Sequence, residues 1–299
     1  MSIDGILNID KPAGSTSLKI VNLVRRLSRQ QRVGHAGTLD PNATGVLPIC
    51  LGQATRIVPF LIDAPKTYCA EAELGISTAT YDAEGEVTGR VDPSFVTREQ
   101  LEEVLSSFLG SILQTPPMYS AVKYQGKRLY DLARAGIEVE RKKRRVHIFH
   151  LELLRWQPPF FTIEIECGKG TYIRSLVHDL GQSLGCGSHL RNLVRLRSGL
   201  FEIGDSLTIP QLEDAFRHGY WQKLLYPMDA VLEHWIAAIV SQEKEQDIRW
   251  GRPLTLDGEE GEDKDRCRAY SLDGRFLAVL RFITERGLWQ PEKVFSGDE

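Results

Sequence analysis

Phe161-Thr162-Ile163-Glu164-Ile165-Glu166-Cys167 alternates apolar and polar residues without a break. Strand side chains point to opposite faces in turn, so this run reads as a strand with one buried face and one wetted face. Gly168-Lys169-Gly170 closes it, and a helix is expected to begin near Thr171. Val146 and Ile148 belong to another alternating strand, and Tyr68 to Leu74 to a third. Ile6-Leu7-Asn8-Ile9 reads as a short buried strand that ends in a Pro- and Gly-marked turn, Asp10 to Gly14. Helical signals lie between these strands. Ser17 is placed to cap a helix whose apolar face is Ile20, Val21, Val24 and Leu27. A loop is expected from Gly34 to Pro48, then a helical stretch from Gln53 to Val58 with Pro59 near its end. Thr97-Arg98-Glu99-Gln100 is a capping-box pattern; it opens a helix that buries Leu101, Val104, Leu105 and Phe108 and stops near Gly110. Strands and helices are thus intermixed without a repeating βαβ period, which implies an α+β fold around a largely antiparallel sheet.

The 299 residues fit one large domain plus a small one. The boundary is expected near Tyr226-Pro227-Met228-Asp229, giving domains 1–230 and 231–299. The second unit reads as β-rich, with short strands near Arg268–Tyr270 and Phe276–Phe282 after a polar acidic loop, Asp257 to Asp265. There is no apolar run long enough for a membrane span, and the first residues lack the basic and apolar regions of a signal peptide. A cytoplasmic protein is expected. The five cysteines are odd in number, far apart and without a C-x-x-C, which argues against a disulfide framework and a structural zinc site.

The net charge of −3 hides an asymmetry. Residues 1–200 hold 25 Lys and Arg against 20 Asp and Glu, whereas residues 201–299 hold 12 against 20. A polyanionic partner is therefore expected on the first two-thirds of the chain.

Gly34-His35-Ala36-Gly37-Thr38-Leu39-Asp40-Pro41-Asn42-Ala43-Thr44-Gly45-Val46-Leu47-Pro48 has three glycines and two prolines. Glycine permits unusual backbone geometry and proline fixes it, so such a loop can hold a side chain rigidly in the open. His35 and Asp40 are the candidates. On these residues alone Asp40 could equally cap a neighbouring N–H in a structural turn. Gly34 to Arg56, however, resembles the signature of the TruB family of tRNA pseudouridine-55 synthases. Further segments are similar to that family in the same order. They are Gly5 to Pro12, Lys66-Thr67-Tyr68, Pro117 to Tyr130, and Gly168-Lys169-Gly170-Thr171-Tyr172-Ile173-Arg174-Ser175-Leu176.

The resemblance implies a pseudouridine-synthase fold and isomerisation of a uridine in the T-loop of tRNA. That reaction detaches uracil from C1′ of ribose, turns it and rejoins it through C5. It involves no net redox change, and no cofactor or metal is expected. The resemblance assigns the essential carboxylate to Asp40, which acts beside an electron-poor carbon as in glycoside cleavage. Attack on the sugar, attack on the base and removal of a sugar proton all remain open. It implies that Arg174 pairs with Asp40 and keeps it ionised. Tyr68 would stack on the target base, Tyr172 and Leu193 would line the pocket, and Lys11 would lie near it. The target uridine must be flipped out of the folded loop, and His35 would fill the vacated space.

Lys123, Lys127, Arg128, Arg134 and the run Arg141-Lys142-Lys143-Arg144-Arg145 fall in the family's RNA-gripping thumb, about residues 119–145. They are expected to grip T-arm phosphates and to order on binding. Arg191, Arg195 and Arg197 are expected to add to that surface. The C-terminal segment resembles a PUA-type RNA-binding domain through Gly251-Arg252-Pro253-Leu254, Phe276 to Phe282 and Trp289 to Phe295. Two other readings compete: a related synthase that acts on another RNA with guide RNA and protein partners, and an RNA-binding protein that refolds tRNA without chemistry. The self-sufficient thumb and modest length favour a stand-alone monomer, with no obligatory protein partner. The intact set Asp40, Tyr68 and Arg174 favours an enzyme, to which RNA-folding chaperone activity could be added.

Overall fold

The computed structural model describes residues 3–256 and 265–295. The first strand, β1 (Gly5–Lys11), is buried along nearly all its length. Helix α1 (Ser17–Ser28) follows and turns Ile20, Val21 and Val24 inward. Fully burying one such side chain contributes about 1.5–3 kcal/mol, so this face fixes the helix on the core. Thr16, not Ser17, caps it by accepting from Lys19 N. The Ser17 hydroxyl instead faces inward, donating to Leu39 O (3.2 Å) and accepting from Leu39 N (3.0 Å).

The expected long loop is shorter than the sequence suggests. Strand β2 (Val33–His35) takes its first residues and β3 (Thr44–Leu51) its last. Pro48 sits inside β3, opposite Asn8 of β1, where its carbonyl accepts from Ala36 N at 3.0 Å. Residues 36–43 alone remain irregular. The next stretch is a 3-10 turn (Gly52–Ile57) that runs into α2 (Val58–Asp63). Pro59 lies in the first turn of α2 rather than at a helix end, because its missing N–H costs nothing there.

Strand β4 (Lys66–Leu74) is followed by a small hairpin, β5 (Ile76–Thr78) and β6 (Val87–Arg90). Thr97 and Gln100 form the expected capping box on α3 (Arg98–Ser107). Next come β7 (Gly110–Gln114), a second hairpin of β8 (Lys123–Tyr124) and β9 (Lys127–Arg128), and α4 (Leu129–Arg134). The long β10 (Arg144–Gln157) pairs with β11 (Phe160–Cys167), whose burial alternates as its sequence predicts. Helix α5 (Ile173–Ser183) leads to β12 (Ser188–Ser198), the short β13 (Phe201–Glu202) and α6 (Ile209–Arg217).

These strands build a nine-stranded sheet with the path β1-β3-β12-β4-β11-β10-β7; β2 pairs with β3 and β13 with β12. Among the described residues its one parallel junction joins β3 to β12, through Thr44↔Val194 and Gly45↔Arg195. Gly45 is required there: a Cβ would collide with the backbone of Arg195. The irregular 36–43 segment enters the sheet beside this junction. One core of strand and helix residues, including Leu47, Ile163, Ile165, Leu176 and Leu180, backs the sheet.

Beyond residue 235, β14 (Ile236–Ile239), β15 (Arg266–Tyr270), β16 (Phe276–Ile283) and β17 (Leu288–Val294) form a four-stranded sheet, with α7 (Gln242–Arg249) packed on it. Phe282 and Trp289 lie in its own core. A further cluster bridges the two sheets: Ile6, Val46 and Ile57 pack with Leu232, Val279 and Phe295. Most of the acidic loop from Asp257 lies outside the described residues. Among the described residues no helix is long and apolar enough to cross a membrane, and no disulfide links the five cysteines.

Candidate active site

Arg174 stands at the second position of α5, with a side chain only 7% exposed. Gln114 of β7, fully buried, fixes the entry to that helix. Its amide donates to Tyr172 O (3.0 Å) and its carbonyl oxygen accepts from Tyr172 N (2.8 Å). Ser175 adds a hydrogen bond to Thr115 O at 2.8 Å. These bonds fix the start of the helix, and with it the root of the Arg174 side chain.

Asp40 meets it from the 36–43 loop. Arg174 Nε lies 2.9 Å from Asp40 Oδ2, and Nη2 donates to Oδ1 at 3.2 Å. Two parallel bonds fix the plane of the carboxylate as well as its distance. The same guanidinium donates to Tyr119 O (2.8 Å) and Thr80 O (3.3 Å), and its Nη1 lies 3.3 Å from Asp82 Oδ2. Two carboxylates therefore share one arginine.

The second carboxylate is not legible in the sequence. Asp82 follows Tyr81, a non-glycine residue in the left-handed region at φ 64°. That backbone costs roughly 1–2 kcal/mol and is held from both sides, with Tyr81 N donating to Thr78 O at 3.2 Å. The Tyr81 ring stacks on His178 of α5 at 3.9 Å, and Tyr81 O accepts from Leu190 N at 3.0 Å. The roles of Gln114 and Ser17 are hidden likewise, because their partners are backbone groups far along the chain.

The Asp40 side chain is 45% exposed at the pocket mouth. Surrounding protein nevertheless raises its pKa above the ordinary carboxylate value. Asp82 adds to the rise, while Arg174, by charge and hydrogen bond, and Lys11 oppose it. Lys11 is fully buried. Its ammonium donates to Pro12 O (2.9 Å), Ser15 O (2.7 Å) and Pro41 O (2.9 Å), so it ties the end of β1 to the residue after Asp40. Burial lowers its pKa to about 8.

Asp40, Asn42, Asp82, Arg174, Leu190 and Leu193 line one pocket. Leu193, on β12, is 8% exposed and supplies its apolar wall. Tyr68 of β4 stands opposite Ile165 on one side and Arg195 on the other. Burial raises the pKa of its phenol, so it is neutral. His35 opens the loop from the end of β2; burial lowers its pKa and leaves Nδ1 without a hydrogen-bond partner among the described residues. Tyr172 caps α5 backbone-first, with the Arg144 guanidinium 5.8 Å over its ring.

The basic residues divide. Lys123, Lys127 and Arg128 are exposed on the β8–β9 hairpin, whose turn uses Gln125 and Gly126 at positive φ. Lys142, Lys143 and Arg145 are exposed, while Arg141 is half-buried and donates to Pro116 O at 3.0 Å. Arg144 and Arg145 belong to β10, paired with Gln114 and Leu113. The hairpin and α4 enclose a small core of their own: Met118, Leu129 and Leu132, with Val122 and Val139. The segment thus carries a small apolar cluster of its own beneath its basic surface. Arg195 is not a surface cation but 1% exposed. Arg191 pairs with Glu73 at 2.7 Å and Arg197 with Glu166 at 2.7 Å.

Comparison with known proteins identifies the family. Residues 25–173 match the family model described as TruB family pseudouridylate synthase, N-terminal domain, and residues 174–233 match tRNA pseudouridylate synthase B C-terminal domain. The chain is 46% identical to tRNA pseudouridine synthase B of Dehalococcoides mccartyi, over 98% of this chain and 97% of that one. It is 42% identical to the protein of the same name from Stutzerimonas stutzeri, over 99% and 97%. Among solved structures it resembles a Cbf5-Nop10-Gar1 complex chain at TM-score 0.76 and 27% identity, covering 98% of this chain and 85% of that one. With a shared arginine, a carboxylate on a glycine-rich loop and family models spanning both, this chain belongs to the TruB family of pseudouridylate synthases.

Proposed function

We propose that this enzyme, a tRNA pseudouridine synthase, acts on the uridine at position 55, in the T-loop. The observation that carries the reading is the Asp40–Arg174 pair, doubly bonded in the lining of a pocket that Leu193 also walls. Such a pair keeps a carboxylate charged and aimed beside the sugar–base bond. In this reading Asp40 is the essential carboxylate and Arg174 orients it. Tyr68 stacks on the flipped uracil, Tyr172 and Lys11 support the site, and His35 occupies the space the base leaves. The isomerisation conserves electrons and atoms, so no cofactor enters the proposal.

The T-arm is gripped through its phosphates by Lys123, Lys127, Arg128 and the run Arg141 to Arg145. We assign residues 1–230 to the catalytic unit and 231–299 to a PUA-like RNA-binding unit. The enzyme works as a cytoplasmic monomer, and prying the T-loop open gives it an RNA-folding activity in addition.

The test uses tRNA transcript tritiated at C5 of uridine. Isomerisation must release that tritium, because C5 becomes bonded to the sugar. Wild-type protein is expected to release it from position 55, and Asp40→Asn to bind the RNA without release. Release from another position, or none from any T-arm, would overturn the assignment.

A further inference from the structure

Arg195 is one of the largest fully buried side chains of the protein, and among the described residues it makes no ion pair. An uncompensated buried charge is costly unless its donors are satisfied. Here backbone carbonyls satisfy them. Nε donates to Val46 O at 2.6 Å and Nη2 to Gly37 O at 3.1 Å. Gly37 precedes Asp40 by three residues and Val46 follows it by six, so one guanidinium ties both shoulders of the loop together. The backbone of Arg195 does the same through the parallel junction with Gly45. Across the antiparallel ladder the backbone of Arg195 stands directly opposite Tyr68.

We propose that Arg195 is a positioning residue for the isomerisation. It locks the Asp40 loop to the strand position of Tyr68, so that carboxylate and phenol hold a fixed separation around the target base. This rests on the proposed roles of Asp40 and Tyr68. A planar fork spans two acceptors in fixed, different directions; an ammonium on a flexible stem keeps the charge but not the geometry. Misplacement of reacting groups by about 1 Å costs roughly 100-fold in rate, and Arg195 is buried where it is not available to bind RNA.

The experiment compares wild type, Arg195→Lys, Tyr68→Phe and the double variant. It measures single-turnover tritium release at saturating protein, T-arm affinity, and thermal unfolding. Arg195→Lys is expected to remain folded, to bind RNA within about twofold of wild type, and to release tritium about 100-fold more slowly. In the Tyr68→Phe background the same substitution is expected to cost markedly less, because the partner it aligns is already altered. Wild-type rates in Arg195→Lys, a rate loss matched by lost affinity, or full additivity in the double variant would overturn the proposal. So would failure of Arg195→Lys to fold, which would make Arg195 a purely structural residue. Loss of release in the wild type itself would instead remove the parent reading.

Discussion

At the scale of single residues the site is an arrangement of two acids around one arginine. In the proposed reaction Asp40 acts as a carboxylate, and its surroundings hold its pKa above the ordinary value, with desolvation by the surrounding protein the largest cause and the charge of Asp82 a further one. A raised carboxylate pKa means that protons are taken up earlier on acidification. The single-turnover rate is therefore expected to fall with decreasing pH at a higher pH than a free aspartate would dictate. Asp82→Asn removes a raising charge and should move that limb to lower pH, which a pH–rate profile of tritium release would reveal. A limb that moves upward, or not at all, would mean that Asp82 acts only by holding Arg174. Asp40 stands out in the sequence because glycine and proline crowd around it. Asp82 does not, because its placement depends on the backbone of Tyr81 and on an arginine 92 positions away.

At the scale of elements, periodicity is most legible where one face is buried. The alternation of β11 and the capping box of α3 are visible because their causes are local. Strand β12 is opaque for a specific reason. Its register slips between Leu190 and Asn192 and again between Arg195 and Arg197. Each bulge changes which face the next residue takes, so arginines an even number of positions apart need not share a face. The basic segment misleads in another way: it reads as polar and basic, yet Met118, Leu129 and Leu132 form a small buried cluster within it. Its exposed cations should contribute to affinity through counterion release. Lys142→Gln with Lys143→Gln is expected to weaken tRNA binding, and to reduce the slope of log K against log salt by about 0.7–0.9 for each phosphate no longer neutralised. Binding isotherms at several salt concentrations would measure this, and an unchanged slope would place the RNA elsewhere.

For the whole molecule, one buried apolar cluster is shared between the two larger sheets. Leu232 is fully buried in the cluster that joins β1 and β3 to β16 and Phe295. Leu232→Ala should cost about 2–5 kcal/mol and leave one cooperative unfolding transition, lowered as a unit. Calorimetry showing two transitions, with only the C-terminal one displaced, would mean that the sheets are energetically independent.

Asp40 and Arg174 lie 134 residues apart in sequence, and the junction beside the Asp40 loop needs Val194 and Arg195 as well. Contacts of such long range form late, after the entropy of closing a large loop has been met. During synthesis, where N-terminal regions emerge first, a nascent chain that has released its glycine-rich loop still lacks a working centre. Competence arrives only when β12 has cleared the ribosome. With the roles proposed for Asp40 and Arg174, truncated translation products that end before β12 are expected to be inert toward RNA chemistry even though they carry the basic thumb.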